Sequence, residues 1–212
     1  MNLVGVVLCG GRSSRMGLAK PSLPFGDETL LTRTVRIVAG VTERVIVVAA
    51  PGQEMPRLAS TIQVVRDESE GRGPLEGMRA GLSAAGRDCA AFITGCDTPF
   101  LLPALIERMA SLVGEQEIAV PWIDGFYHPL AAVYRSTVVP EIEALLAADQ
   151  LRPTFLFERV PTRRVTADEL RDVDPQLASL RNLNTPADYL AALADANFTA
   201  PADLVRAFGN RK

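Results

Sequence analysis

The chain has 212 residues, 48% of them hydrophobic and 22% charged, the balance of a soluble globular protein and not of a disordered polymer. A formal net charge of -3 argues against a long nucleic-acid backbone as partner, so any functional positive charge must be local. No apolar run approaches the length of a membrane span, and Met1-Asn2-Leu3 lacks the basic region of a secretory signal.

The first predicted element is a strand over Val4–Cys9, a nearly continuous apolar run of the kind covered on both faces. A glycine-rich loop follows, L-C-G-G-R-S-S-R-M-G-L-A-K-P over residues 8 to 21. Leu30, Leu31, Val35, Ile37 and Val38 then mark a helix closing at Gly40. Strands are expected at Arg44–Ala50, which Pro51-Gly52 ends, and at Ile62–Val65, closed by Arg66-Asp67. After a loop over Gly71–Pro74, Leu75–Ala85 has helical spacing up to Gly86. Ala90–Thr94 reads as a strand running into Gly95-Cys96-Asp97-Thr98-Pro99, Leu102–Leu112 as a helix and Ile118–Pro121 as a strand. This β-α-β-β-α-β-α-β order predicts an α/β fold with a mainly parallel sheet. The remainder is less regular. A strand is expected at Pro129–Tyr134, a helix over Thr137–Ala148, a strand at Arg163–Thr166, and helices over Thr185–Leu193 and Phe198–Phe208. With no repeat, low-complexity tract or linker, residues 1–212 read as a single domain.

In a parallel sheet, ligands bind beyond the C-terminal strand ends, which is where the glycine loop lies. Adjacent glycines turn the backbone sharply and present amides to phosphate oxygens, and Arg12, Arg15 and Lys20 add charge. The spacing is not that of a P-loop, since five residues separate Gly11 from Gly17 and Leu18 stands in the lysine position. G-G-R-S-S-R also fails the dinucleotide fingerprint. Asp97, just past the strand A-F-I-T-G, suits a Mg2+ ion, although Asp-Thr-Pro is also good turn chemistry; the phosphate loop on the same sheet edge favours the metal. Asp67 ends another strand before a second glycine loop, Gly71-Arg72-Gly73-Pro74, and reads equally as an acceptor for base or ribose and as a surface charge. The only histidine, His128, reads foremost as a packed residue, with Gly125-Phe126-Tyr127-His128 as a segment able to border an acceptor site. Arg163-Arg164 reads as a solvated pair. Cys9, Cys89 and Cys96 lie in or beside apolar runs, form no zinc spacing, and fit a reducing cytoplasm.

The opening loop resembles the signature L-x-[AG]-G-x-[SG]-x-R-[ML]-G, then lysine, of the nucleotidyltransferases that activate sugars and cofactors. Five stretches in order (the opening loop, R-D-E-S-E-G-R-G-P-L-E-G-M, T-G-C-D-T-P-F, H-P-L-A-A-V-Y and N-L-N-T-P-A-D-Y) resemble the molybdenum cofactor guanylyltransferases over residues 3 to about 190. The resemblance implies a Rossmann-like three-layer sandwich of nucleotidyltransferase type. It implies transfer of GMP from GTP to the terminal phosphate of molybdopterin with Mg2+ as cofactor, and transient molybdenum-cofactor delivery proteins as partners. It also implies residue roles. Leu8, Cys9 and Gly10 contact the guanine nucleotide through their backbone, and Gly11 keeps the loop open beside the phosphates. Arg15 and Lys20 bind the triphosphate, Asp67 the nucleoside and Asp97 the metal. Asn182 and Asn184 lie near metal or molybdopterin, and Arg152 corresponds to a basic residue for the pterin phosphate. Cys9 replaces the usual alanine, and V-V-A-A-P-G-Q lacks the asparagine that many relatives carry at the end of the second strand to contact the base. Gly10-Gly11 favours the guanylyl branch over the cytidylyl one. A cytidylyl or sugar-phosphate nucleotidyltransferase, or a non-catalytic nucleotide-binding module, are the alternatives.

Overall fold

The β-branched run at the N-terminus forms strand β1 (Leu3–Leu8), buried on both faces. A computed structural model describes residues 2–10, 16–67 and 71–209. Continuing along the chain, a short hairpin of β2 (Pro24–Phe25) and β3 (Glu28–Thr29) leads into α1 (Leu30–Ala39). Then come β4 (Arg44–Ala49), β5 (Gln63–Arg66), α2 (Gly73–Ala85), β6 (Ala90–Gly95) and α3 (Pro103–Leu112). They are followed by β7 (Ile118–Ile123), β8 (Phe126–Tyr127), β9 (Ala131–Arg135), α4 (Val139–Ala147), α5 (Thr154–Phe157), β10 (Thr162–Val165), α6 (Pro186–Asp195) and α7 (Ala202–Gly209).

The main sheet runs β10-β7-β9-β6-β1-β4-β5, with β8 paired to β7 beside it. β1 is parallel to β4 and β6, β4 to β5, and β10 to β7; only β9 and the short β8 run against their neighbours. The expected mainly parallel α/β sheet is present. Alternation along β1 divides the core. Val4, Val6 and Leu8 pack with Leu75, Met78 and Leu82 of α2 and Ile142, Leu145 and Leu146 of α4. Val7 and Cys9 pack with Leu31, Val35 and Val38 of α1 and Leu105, Ile106 and Met109 of α3 on the opposite face. Helices on both faces of one sheet make three layers. Gly5 allows the close approach of α1, because a Cβ there would lie 2.1 Å from Val38 Cγ1.

Local sequence explains the helix starts. Thr29 and Thr32 form a capping box on α1, and Thr185 and Asp188 form another on α6, where Pro186 opens the first turn. A third apolar cluster gathers Met16, Leu23, Phe25 and Leu30 with Leu183, Tyr189, Ala192 and Leu193 of the C-terminal region.

Several elements differ from the sequence expectations. The hairpins β2–β3 and β7–β8 involve two-residue strands, too short to show a period. Thr137 lies in a 3-10 turn before α4, and α5 is a single turn, too short for a helical period to show in the sequence. α7 begins at Ala202, after Pro201; Phe198 instead meets Phe25 edge-on at 5.3 Å. The three cysteines are buried free thiols. Among the described residues, no helix is long and apolar enough to cross a membrane.

Candidate active site

Because β1, β4, β5 and β6 are parallel, their C-terminal ends share one edge, and the sequence-predicted residues at those ends meet there. The Cys9 amide donates to the Val48 carbonyl at 2.8 Å, the Cys96 amide to Leu8 at 3.0 Å and the Asp67 amide to Ala49 at 2.9 Å. These bonds carry the sheet one residue beyond its strands and leave Gly10 exposed at the rim. Burial, with Cys96 alongside, raises the Cys9 thiol well above its ordinary pKa, so it serves as a small neutral packing group.

Lys20 opens a 3-10 turn anchored by buried Pro21. Its ammonium donates to Asp97 Oδ2 at 2.6 Å and to Asn184 Oδ1 at 3.3 Å. Asp97 lies two residues past β6, and its other oxygen, Oδ1, is tucked against Gly95, where an added Cβ would be 2.5 Å away. Oδ2 is the oxygen that meets the ammonium. Asn184 arrives from a distant part of the chain. The Leu183 amide donates to the Asp97 carbonyl at 3.0 Å, and the Asn184 and Thr185 amides donate to Asp188 Oδ2 at 3.0 and 2.8 Å. The α6 capping box thus also fixes the loop that carries Asn184.

The Lys20 ammonium is thus held between a carboxylate and an amide oxygen. The donor set is hard and all oxygen, which fits Mg2+ or a similar ion. Among the described residues, no group of three or more His, Cys, Asp or Glu side chains gathers, so a cation held here would need substrate phosphates and water to complete its shell.

Asp67 is the electrostatic anomaly. Its Oδ1 is buried and has no hydrogen-bond partner among the described residues. It lies between Gly10, where a Cβ would be 3.0 Å from Oδ2, and Gly77 of α2, where a Cβ would be 3.6 Å from Oδ1. Desolvation, then the neighbouring Glu76 charge, push its pKa up to about 6, against the opposing pull of Arg79. Glu76 is itself buried, with Arg79 at 2.9 Å. A buried carboxylate oxygen lacking a donor among the described residues, beside the Leu8–Gly10 backbone, has the chemistry of an acceptor for a ligand's N–H or O–H.

Other predicted residues divide. Gly11, Arg12 and Arg15 lie outside the described residues. Asn182 is exposed and separated from Asn184 in sequence by buried Leu183. Arg152 is exposed just before α5 and is not bonded to Lys20, Asp97 or Asn184; its segment borders the start of α2, where a Cβ on Gly73 would be 3.5 Å from the Leu151 carbonyl. The His128 amide donates to Pro121 at the same sheet edge, and burial lowers the imidazole pKa despite Asp124, leaving the ring neutral near pH 7. Arg163 and Arg164 are not a merely solvated pair. Arg163 binds the Leu112 carbonyl and Glu169, and Arg164 stacks over Trp122 and Tyr127 at 5.7 and 5.5 Å.

The sequence reading missed Gln53. Its carboxamide accepts from the Ala50 amide at 2.9 Å and donates to the Cys9 carbonyl at 3.1 Å, spanning β4 and β1 where an asparagine was expected and not found. Its position just past Pro51-Gly52 was the available signal. The buried Glu76–Arg79 pair was also missed, since such spacing on a helix ordinarily reads as a surface pair.

Comparison with known proteins follows the same outline. Residues 5–165 match the family described as MobA-like NTP transferase domain. A protein from Mycolicibacterium paratuberculosis named probable molybdenum cofactor guanylyltransferase is 38% identical over 92% of this chain and 97% of its own. Among solved structures, molybdopterin-guanine dinucleotide biosynthesis protein A from Archaeoglobus fulgidus superimposes with a TM-score of 0.78 at 21% identity, over 92% of this chain and 98% of that one. A 2-C-methyl-D-erythritol 4-phosphate cytidylyltransferase from Thermus thermophilus does so with 0.68 at 19%, over 91% and 98%. The same fold is thus shared with a cytidylyltransferase, and the base must be chosen by side chains and not by architecture.

Proposed function

The chain belongs to the MobA-like NTP transferases and is a nucleotidyltransferase of the molybdenum cofactor guanylyltransferase kind, and from that membership we infer that it transfers GMP from GTP to the terminal phosphate of molybdopterin, releasing pyrophosphate. The observation that carries the reading is the meeting of Lys20, Asp97 and Asn184 at the edge where β1 hands its backbone to the glycine loop.

The backbone of Leu8, Cys9 and Gly10 seats the nucleotide, with Gln53 holding the Cys9 carbonyl in place. Asp67 accepts hydrogen from the nucleoside; guanine presents adjacent ring N–H and amino donors that suit a carboxylate. Lys20 and Arg15, with Gly11 keeping the loop open, bind the triphosphate and offset charge developing toward pyrophosphate. A divalent cation on Asp97, Mg2+ in this reading, would neutralise phosphate charge. The acceptor phosphate is already anionic, so its oxygen forms the new bond to the α-phosphorus as the bond to pyrophosphate breaks in line, and no strong general base is needed. Asn184, and Asn182 by the family resemblance, would serve the acceptor, and Arg152 would be the cation for its distal end. The reaction takes place in the cytoplasm, where transient delivery proteins hand over the unstable acceptor.

A thermal-shift comparison of GTP, CTP, UTP and ATP with Mg2+ tests the base. GTP is expected to stabilise most, and a larger shift with CTP overturns the guanylyl assignment.

A further inference from the structure

We propose that Lys20 is a built-in surrogate for the metal, so that the free protein excludes a divalent cation from Asp97 until a triphosphate draws the ammonium away. Three observations converge. Lys20 Nζ lies 2.6 Å from Asp97 Oδ2 and 3.3 Å from Asn184 Oδ1, the two oxygens a cation would share. The second Asp97 oxygen lies back over Gly95, away from the ammonium, so the oxygen that faces Lys20 and Asn184 is the one already occupied. Both side chains of the ion pair are largely buried, at 18% and 13% exposure, so solvent screens them less than an ordinary surface pair.

A cation sharing Oδ2 with Asn184 must displace the ammonium, and among the described residues no cluster of three or more acidic, His or Cys ligands waits to compensate for that in the free protein. A bound triphosphate changes both sides of that competition. Its oxygens attract Lys20 off Asp97, and they add ligands for the cation vacated by the ammonium. Metal and nucleotide then bind with positive coupling, each raising the other's affinity by the same factor. The arrangement also keeps the negative site neutralised while it is empty of substrate, and delivers Lys20 to the phosphates at the moment the cation enters.

This inference rests on Asp97 being the metal ligand, and the experiment separates the two. Mn2+ alone is titrated into the full chain without nucleotide, with free Mn2+ read by electron paramagnetic resonance. The proteins are the wild type, Lys20→Met, Arg33→Met, and Lys20→Met combined with Asp97→Asn, each checked by circular dichroism for a native fold. Arg33 donates to the Pro99 carbonyl two residues beyond Asp97, so its loss removes a nearby charge without touching the pair. Lys20→Met is expected to bind Mn2+ about ten-fold more tightly than wild type, Arg33→Met to match wild type, and the double variant to lose the gain. Equal affinity in wild type and Lys20→Met overturns the surrogate role, as does an equal gain in Arg33→Met. A gain that survives Asp97→Asn instead overturns the metal assignment beneath it.

Discussion

Asp67 shows what a single residue can contribute and what it costs. Its folded pKa of about 6 stands above the ordinary 3.8, so between those values the folded protein holds more protons than the unfolded chain. The contribution of Asp67 to stability therefore falls as pH rises from 3.8 to about 6, and the full cost of burying its charge is present above about 6. Two outcomes are expected of Asp67→Asn. Its melting temperature exceeds that of wild type near neutral pH, and the difference closes as pH drops toward 4, roughly the unperturbed value. Its GTP affinity, measured calorimetrically near neutral pH, falls about ten-fold or more, as when a ligand loses a charged hydrogen-bond acceptor. Wild-type affinity weakens below pH 6 on the same account. A variant that is less stable and binds GTP normally would mean that Asp67 has a structural partner and no ligand.

Elements, more than residues, set where the glycine loop ends. The β2–β3 hairpin lies between that loop and α1, and α6 and α7 clamp it from outside. Phe25 is 1% exposed and meets Phe100 and Phe198 edge-on at 5.9 and 5.3 Å, while the Tyr189 hydroxyl donates to the Pro24 carbonyl at 2.5 Å. Removing the ring by Phe25→Ala leaves a cavity under the segment that carries Lys20. It is expected to cost about 3–5 kcal/mol of stability in denaturant unfolding. A loss below about 1 kcal/mol would show that the C-terminal helices do not brace the hairpin. The sequence could not announce this brace, because two-residue strands have no periodicity and the partners of Phe25 lie far along the chain. The same limit hid the direction of β9, whose apolar run reads alike either way, and left Gln53 as an ordinary loop glutamine until β4 and β1 were adjacent. In contrast, β1 and the position of Asp97 just past a second strand are legible. A strand buried on both faces and an aspartate at a second strand end each have a local physical cause. Asn184 came only through the resemblance, since no spacing rule links it to Lys20.

At the scale of the molecule, the parallel sheet places four strand ends on one edge, and the reaction needs that placement. β1, β4 and β5 bring backbone and Asp67, proposed for the nucleoside, to the edge where β6 brings Asp97, proposed for the cation on the phosphates. The two strand ends beyond β9, those of β7 and β10, lie on the same edge. An architecture shared with a cytidylyltransferase cannot by itself settle which base or acceptor is used. The most direct measurement is a single incubation of the protein with Mg2+, molybdopterin and an equal mixture of GTP and CTP, with Asp97→Ala alongside, and the dinucleotide product identified by mass. The account predicts molybdopterin guanine dinucleotide and pyrophosphate in equal amounts from the wild type, with turnover reduced at least about a hundred-fold in a natively folded Asp97→Ala. A cytosine dinucleotide as main product, or near-normal turnover in Asp97→Ala, would contradict it.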